Sequence, residues 1–166
     1  LRNQLESFEQ RRVNLRLVDD QEWKIPVFNN IKDLISFILS KQGPRLVIMN
    51  TVYGAAYLAQ SMKSRSLDVL HLSTALTPND RKVIIEKIKM KLNDKTCPDW
   101  TLVATSCIEA GMDFSFRNGF SQLRSVQSFL QASGRVSRNG EYNDAAMYCF
   151  SLQVPEVNDN PYFRTS

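Results

Sequence analysis

The sequence has a single histidine and three cysteines, and these small numbers exclude several kinds of site. With only His71 and no Cys-x-x-Cys pair, we expect neither a zinc site nor a disulfide framework. We assign no metal ligand to this chain. Nothing around His71 supports a Ser-His-Asp or Cys-His catalytic set. We interpret Cys97, Cys107 and Cys149 as buried thiols of a protein from a reducing cytoplasm.

The sequence also has no phosphate-binding loop. None of its six glycines begins a G-x-x-x-x-G-K-[ST] pattern or a G-x-G-x-x-G pattern, so neither a complete P-loop site nor a dinucleotide site is expected. No apolar run reaches the roughly 20 residues that span a bilayer, and no secretory leader is visible. We therefore expect no membrane partner.

The composition is that of a folded domain with a modest positive charge. Of the 166 residues, 43% are hydrophobic and 23% are charged, and the net charge is +4. This charge is compatible with a nucleic-acid partner but is too small to identify one. We expect a single domain over 1–166, with a core at about 13–150 and a loop or tail at 151–166. Because the chain begins with Leu1, we expect a fragment of a larger protein.

Short apolar runs alternate with amphipathic segments along the chain. This alternation predicts a parallel sheet covered by helices on both faces, which is an α/β fold. A half-buried or edge strand is expected at 13–17, and further strands at 45–49, 68–73, 100–104, 120–123 and 145–150. Helices are expected at 31–41, 52–62, 77–92 and from Ser125 onward.

Two arginines stand out near the end of the last predicted helix. If this helix continues through Arg138, then Gln131, Arg135 and Arg138 lie within about 60° of one another on one face. Two guanidinium groups in this arrangement suit a polyphosphate, although a solvated basic face is the alternative. Gly134 in mid-helix predicts that another group lies close to the helix backbone at this position. Without a phosphate loop, the arginine pair predicts half of a site, completed by another domain.

Three segments resemble ordered motifs of superfamily-two helicases. The pattern Gln-x-x-Gly-Arg-x-x-Arg at 131–138 resembles their motif VI, 105–113 resembles motif V, and 46–51 resembles motif IV. All three belong to the second RecA-like domain of that superfamily. The resemblance covers about 45–150 and implies a RecA-like three-layer sandwich with a mostly parallel central sheet.

A narrower resemblance concerns residues 71–81, 108–113 and 125–131. These segments are similar to the CRISPR-associated helicase-nuclease recruited by the Cascade complex. The resemblance implies an ATP-dependent helicase that unwinds and degrades foreign DNA, with Cascade and a nuclease domain as partners. That family's histidine-aspartate nuclease is not expected within this chain, which has one histidine.

The resemblance also implies roles at an ATP site shared with the absent first RecA-like domain, which binds Mg²⁺. Arg135 and Arg138 would be arginine fingers for the γ-phosphate, and Gln131 would position it. The nucleotide-binding residues would be Gly111, Asp113, Glu109 and Gly134. For Glu109, a structural hydrogen bond is an equal alternative.

Polar residues at strand ends are candidates for contacts with single-stranded DNA. Backbone amides and hydroxyls there suit phosphates and read no bases. The candidates are Asn50, Thr51, Thr105, Ser106, His71 and Ser73. A satisfied histidine at a strand end is the alternative for His71.

Two other functions remain open at this level. One is a different superfamily-two helicase that acts on DNA or RNA. The other is a RecA-like module that binds without catalysis. In the helicase interpretation, the chain alone does not hydrolyse ATP, because half of the site is absent.

Overall fold

The computed structural model describes residues 14–16, 25–106, 108, 112–138 and 140–158. Within this part of the chain, the predicted strands and helices are present, and a two-residue strand at 27–28 and a short helix at 155–158 are additional. The strands are β1 (Asn14–Arg16), β2 (Val27–Phe28), β3 (Arg45–Ile48), β4 (Val69–Leu72), β5 (Thr101–Ala104), β6 (Asn118–Gln122) and β7 (Ala146–Leu152). The helices are α1 (Ile31–Leu39), α2 (Val52–Lys63), α3 (Pro78–Asn93), α4 (Val126–Ser133) and α5 (Pro155–Asn158).

The described strands form one sheet in the order β1-β7-β6-β3-β5-β4, and β2 pairs with the end of β7. Every pairing among them is parallel. Strand β3 lies at the centre, with Val47 opposite Val103 of β5 and Phe120 of β6. The predicted edge position of β1 is confirmed. The carboxyl ends of β3, β5 and β6 therefore lie side by side.

Helices cover both faces of the sheet, which confirms the three-layer α/β architecture. Val47 and Phe120 pack in a buried cluster with α1 and α2. Leu46, the neighbour of Val47 in β3, faces the other way into a cluster with Ile88 of α3. Phe129 of α4 packs in a third cluster with β7. This alternation explains why β3 is apolar throughout: a central parallel strand is buried on both faces.

Side-chain caps fix where the longer helices begin. In each case an oxygen of the residue before the helix accepts a hydrogen bond from a backbone N–H of the first turn. The capping residues of α1, α2, α3 and α4 are Asn30, Thr51, Thr77 and Ser125. The caps of α2 and α4 follow strands β3 and β6 closely, so the first turns of both helices lie near the carboxyl edge of the sheet.

The prediction that the last long helix continues through residue 138 is wrong. Helix α4 ends at Ser133, with Gly134 as its C-cap. Val136 forms a parallel bridge with Phe116, and Ser137 has a φ of 43°. Pairing with the 112–116 segment therefore replaces the last helical turn. The predicted close approach at Gly134 is also absent among the described residues, since an added Cβ would meet only the Gln131 carbonyl oxygen, at 3.4 Å.

Residues 151–158 do not form the predicted loop or tail, and residues 159–166 of that prediction lie outside the described residues. Strand β7 continues to Leu152, and α5 follows at Pro155–Asn158. Val154 and Val157 are both buried in the cluster that α1 and α2 form with the sheet. Their two side chains give this segment the apolar surface that holds it against the domain.

The longest described helix, α3, has 16 residues. No helix in the described ranges is both long and apolar enough to cross a membrane.

Candidate functional site

Two segments that are far apart in sequence pair beside the carboxyl edge of the sheet. The Phe116 N–H donates to the Arg135 carbonyl at 3.0 Å, and the Ser137 N–H donates to the Phe116 carbonyl at 2.7 Å. The Arg138 N–H donates to the Ser115 hydroxyl at 3.0 Å. Residues 112–116 and 135–138, which belong to or adjoin the predicted motifs V and VI, are therefore fixed to each other through the backbone.

This pairing brings the two predicted arginine fingers, the arginine pair Arg135 and Arg138, to one acceptor. Arg135 donates through Nη1 to the Met112 carbonyl oxygen. Arg138 donates through its own Nη1 to the same oxygen at 3.0 Å. The Arg138 Nε lies 3.6 Å from Oδ1 of Asp113, whose side chain is 75% exposed. Both arginine side chains are partly exposed, so an incoming anion has access to them.

The charge of Arg138 acts on Arg135. Burial lowers the pKa of Arg135 and the charge of Arg138 lowers it further, while Asp113 acts in the opposite direction. A guanidinium remains protonated at neutral pH despite such a shift. Like charges held close together disfavour the charged state of a group. An anion that binds between the two guanidinium groups is attracted by both of them. The arrangement therefore suits a phosphate oxygen better than a neutral ligand.

A cleft of about 300 Å³ lies at the carboxyl edge of the sheet next to α4. Ligands of open parallel sheets bind at this edge. Four of the predicted site residues, Asn50, Ser106, Gln131 and Arg135, line this cleft. The other residues that line it are Ile48, Met49, Ile108, Ser121, Gln122, Arg124, Ser128 and Ala132. The cleft therefore joins predicted strand contacts to a predicted arginine finger.

Asn50 and Thr51 also have structural roles. The Asn50 side chain donates to the Leu123 carbonyl at 2.9 Å, and its backbone N–H donates to Oε1 of Gln122 at 2.9 Å. The Thr51 hydroxyl accepts from the Gly54 N–H at 3.0 Å as the cap of α2. These contacts fix the end of β3 against the loop after β6. Of the other two strand-end candidates, Thr105 is buried and Ser106 is exposed.

His71 and Ser73 are not among the residues that line the cleft. His71 lies two residues after Val69 in β4, on the face that packs against α2. Its Nε2 and the Ser73 hydroxyl are buried, and neither has a hydrogen-bond partner in the described part of the chain. Burial lowers the pKa of His71, and the charge of Lys63 lowers it further. The predicted satisfied state of His71 is therefore not observed.

The remaining predicted nucleotide-binding residues are placed as follows. Asp113 lies beside Arg138, and Gly134 ends α4 next to Arg135. Glu109 and Gly111 lie outside the described residues. Within the described ranges, no group of three or more His, Cys, Asp or Glu side chains is arranged to hold a metal ion.

Sequence reasoning missed four polar residues of the cleft, Ser121, Gln122, Arg124 and Ser128. Gln122 ends β6, Arg124 lies in the loop after it, and Ser128 lies in the first turn of α4. A strand end followed by a capped helix was the available signal, since this is where open α/β folds place ligand contacts.

Comparison with known proteins gives the family. The family model of the C-terminal region of the CRISPR-associated nuclease/helicase Cas3 matches residues 41–141. The CRISPR-associated nuclease/helicase Cas3 of Haloferax volcanii is 29% identical over 137 residues, which is 80% of this chain and 13% of that protein.

Solved structures have the same fold. The T. fusca Cas3-AMPPNP structure matches with a TM-score of 0.66 and 19% identity, over 85% of this chain and 18% of that one. The E. coli DEAD-box protein SrmB, solved with the regulator RraA, matches with a TM-score of 0.59 and 15% identity, over 78% of each chain. This chain thus spans less than a fifth of either Cas3 protein. Because the family model covers well over half of its residues, the chain belongs to the Cas3-like family, as a C-terminal helicase domain.

Proposed function

We propose that this chain is the C-terminal motor domain of an ATP-dependent superfamily-two helicase that unwinds foreign DNA in CRISPR defence. The observation that carries the proposal is the convergence of Arg135 and Arg138 on the Met112 carbonyl oxygen beside the cleft. In a Cas3-like chain without a phosphate loop of its own, this arginine pair suits a phosphate presented by another domain.

The arginine pair supplies charge stabilisation for phosphoryl transfer. In this proposal the first RecA-like domain would hold ATP and Mg²⁺, and closure of the two domains would bring the γ-phosphate of ATP to Arg135 and Arg138. Both guanidinium groups then exchange the Met112 carbonyl for phosphate oxygens. An arginine finger is worth about 10³–10⁵ in rate, or roughly 4–7 kcal/mol of barrier. Structures of T. fusca Cas3 with ATP, AMPPNP and ADP support ATP as the nucleotide.

The residues around the arginine pair position it. Gln131 of α4 lines the cleft, and in the proposal its amide orients the phosphate. Asp113 lies 3.6 Å from the Arg138 Nε and helps to orient that side chain. In the proposal Glu109, Gly111 and Gly134 contact the edge of the nucleotide.

Single-stranded DNA follows the carboxyl edge of the sheet. Ser106 is exposed in the cleft beside Asn50, and Thr51 and Thr105 are their neighbours in sequence. Backbone amides and hydroxyls of these residues hold phosphates without reading bases. His71 and Ser73, the other predicted strand contacts, do not line the cleft and have buried polar atoms, so the proposed path of the strand along the cleft does not include them.

The proposal includes three further partners. The first RecA-like domain completes the ATP site, a nuclease domain degrades the unwound strand, and the Cascade complex loads the protein onto DNA in the cytoplasm. Alternate closing and opening of the two RecA-like domains then moves this domain along the strand.

Strand separation by the full-length protein tests the proposal. The wild-type protein should separate a partial DNA duplex only with ATP, and Arg135→Ala should abolish separation. The matched control is Arg65→Ala, which removes an exposed arginine near the end of α2, remote from the cleft. Separation of an RNA duplex but not a DNA duplex would favour another helicase. Full function of Arg135→Ala would favour a non-catalytic binding module.

A further inference from the structure

The loop after β6 carries an arginine to which no function has yet been assigned. Arg124 is exposed and lines the cleft together with Arg135. Within the described residues, Arg124 makes no hydrogen bond or ion pair, in contrast to Arg117 and Arg138, which contact carboxylates. A guanidinium that lines a cleft without an internal partner has all five donors available for a ligand.

The surroundings of Arg124 suit an anion. None of the described residues that line the cleft is acidic, and two of them are arginines. Ser125 caps α4 by accepting from the Ser128 N–H at 3.1 Å, and its hydroxyl donates to the Ser128 hydroxyl at 2.9 Å. The hydroxyl hydrogen of Ser128 therefore remains for another acceptor in the cleft. The first turn of α4 adds the partial positive charge of a helix N-terminus.

We propose that Arg124 binds a backbone phosphate of the single strand, with the Ser128 hydroxyl as a second donor. This assignment rests on the proposed function and adds a contact that the motif pattern does not contain. The assignment depends on the position of Arg124, which lines the cleft with the proposed strand contacts Asn50 and Ser106. Arg135 and Gln131 of the proposed ATP site line the same cleft, so the experiments below separate the two roles.

The rest of the cleft favours a sugar-phosphate chain over a carboxylate from another protein domain. Ile48, Met49, Ile108 and Ala132 give it an apolar surface beside the charged groups. A deoxyribose presents an apolar face next to its phosphate, so a nucleotide unit matches both parts of the lining. At about 300 Å³, the cleft has room for more than a side-chain carboxylate.

Binding of fluorescent oligothymidylate to the full-length protein tests the assignment. Each phosphate contact contributes about 0.7 to the slope of log affinity against log salt for single strands. Arg124→Ala should therefore lower this slope by about 0.7 and weaken binding about fivefold at 0.1 M salt. Arg124→Lys should retain the slope, because a lysine also contacts phosphate. Arg65→Ala, with the same change in net charge, should behave as wild type.

The steady-state kinetics of DNA-stimulated ATP turnover separate this role from one at the ATP site. Arg124→Ala should raise the DNA concentration that gives half-maximal turnover. A loss confined to maximal turnover, with unchanged DNA affinity and salt slope, would overturn the assignment and indicate contact with the neighbouring domain. Equal behaviour of Arg124→Ala and Arg65→Ala would also overturn it. A wild-type protein that neither binds oligothymidylate nor shows DNA-stimulated turnover would refute the proposed function itself.

Discussion

Arg135 and Arg138 share one hydrogen-bond acceptor, the carbonyl oxygen of Met112. The bridge between Phe116 and Val136 fixes the two segments that supply these groups. The arginine pair is therefore positioned by backbone pairing and not by a continuous helix face. The Met112 carbonyl oxygen is neutral and therefore compensates neither guanidinium charge. Hydrogen bonds from the two arginines to charged phosphate oxygens are stronger than those to the carbonyl.

The purified chain of residues 1–166 should not hydrolyse ATP. In the proposal its arginine pair acts on a γ-phosphate held by another domain, and its sequence contains no phosphate loop to hold the nucleotide. Phosphate release with ATP, Mg²⁺ and single-stranded DNA should match the protein-free background, while circular dichroism shows a folded α/β protein. Turnover by this chain that Arg135→Ala abolishes would contradict the prediction.

Gly119→Ala should destabilise the domain by about 1–3 kcal/mol. A Cβ at Gly119 would lie 2.4 Å from the Met147 sulfur and 2.6 Å from Cγ2 of Val136, so one or both must move. Because Val136 lies between the two arginines in sequence, this movement should also disturb them. Urea unfolding of the chain measures the loss of stability.

Gly134→Ala is the matched control for that substitution. Gly134 has a φ of −62°, and its added Cβ would meet only the Gln131 carbonyl oxygen at 3.4 Å. Its free energy of unfolding should change by less than about 0.5 kcal/mol. If Gly119→Ala and Gly134→Ala lowered the free energy of unfolding equally, close contacts of the added Cβ at Gly119 would not explain the loss.

His71 should titrate below its ordinary pKa of 6.5. It is the only histidine, so its ring signals in a proton NMR titration are unambiguous. Burial is the larger cause and the charge of Lys63 the smaller, so Lys63→Gln should raise the pKa. Lys87→Gln, an exposed lysine of α3 on the opposite face of the sheet, should leave it nearly unchanged.

The same shift predicts how acid affects stability. The unfolded chain binds a proton at His71 near pH 6.5, while the folded chain resists doing so until lower pH. The free energy of unfolding should therefore fall as pH drops below about 6.5, and His71→Gln should reduce this dependence. A pKa at or above 6.5, or equal shifts from the two lysine variants, would contradict this account.

Most of the fold was predictable because its signals are local. The apolar run of β3 and the caps Thr77 and Ser125 are features of neighbouring residues, and the structure has these elements where they were expected. The sheet order was not predictable from periodicity, since the pairing of β3 with β6 depends on residues about 70 positions apart. The end of α4 was misjudged for the same reason, because the pairing of Val136 with Phe116 is not local.

The candidate site was predictable where a motif marks it. The Gln-x-x-Gly-Arg-x-x-Arg pattern identified the arginine pair, although the wrong local structure was assigned to it. Arg124 carries no motif, and only the assembled cleft places it beside Asn50 and Ser106. For His71 the sequence signal was misleading. Its position near a strand end suggested a ligand contact, but in the structure it lies on the face of β4 that packs against α2.

The most direct test of the central claim is single-turnover ATP hydrolysis by the full-length protein with saturating single-stranded DNA. Arg135→Ala and Arg138→Ala should each slow hydrolysis about 10³- to 10⁵-fold, while ATP affinity changes less than tenfold because another domain holds the nucleotide. Arg65→Ala should hydrolyse ATP at the wild-type rate. Hydrolysis by both arginine-pair variants within threefold of the wild-type rate would contradict the claim that this domain supplies arginine fingers.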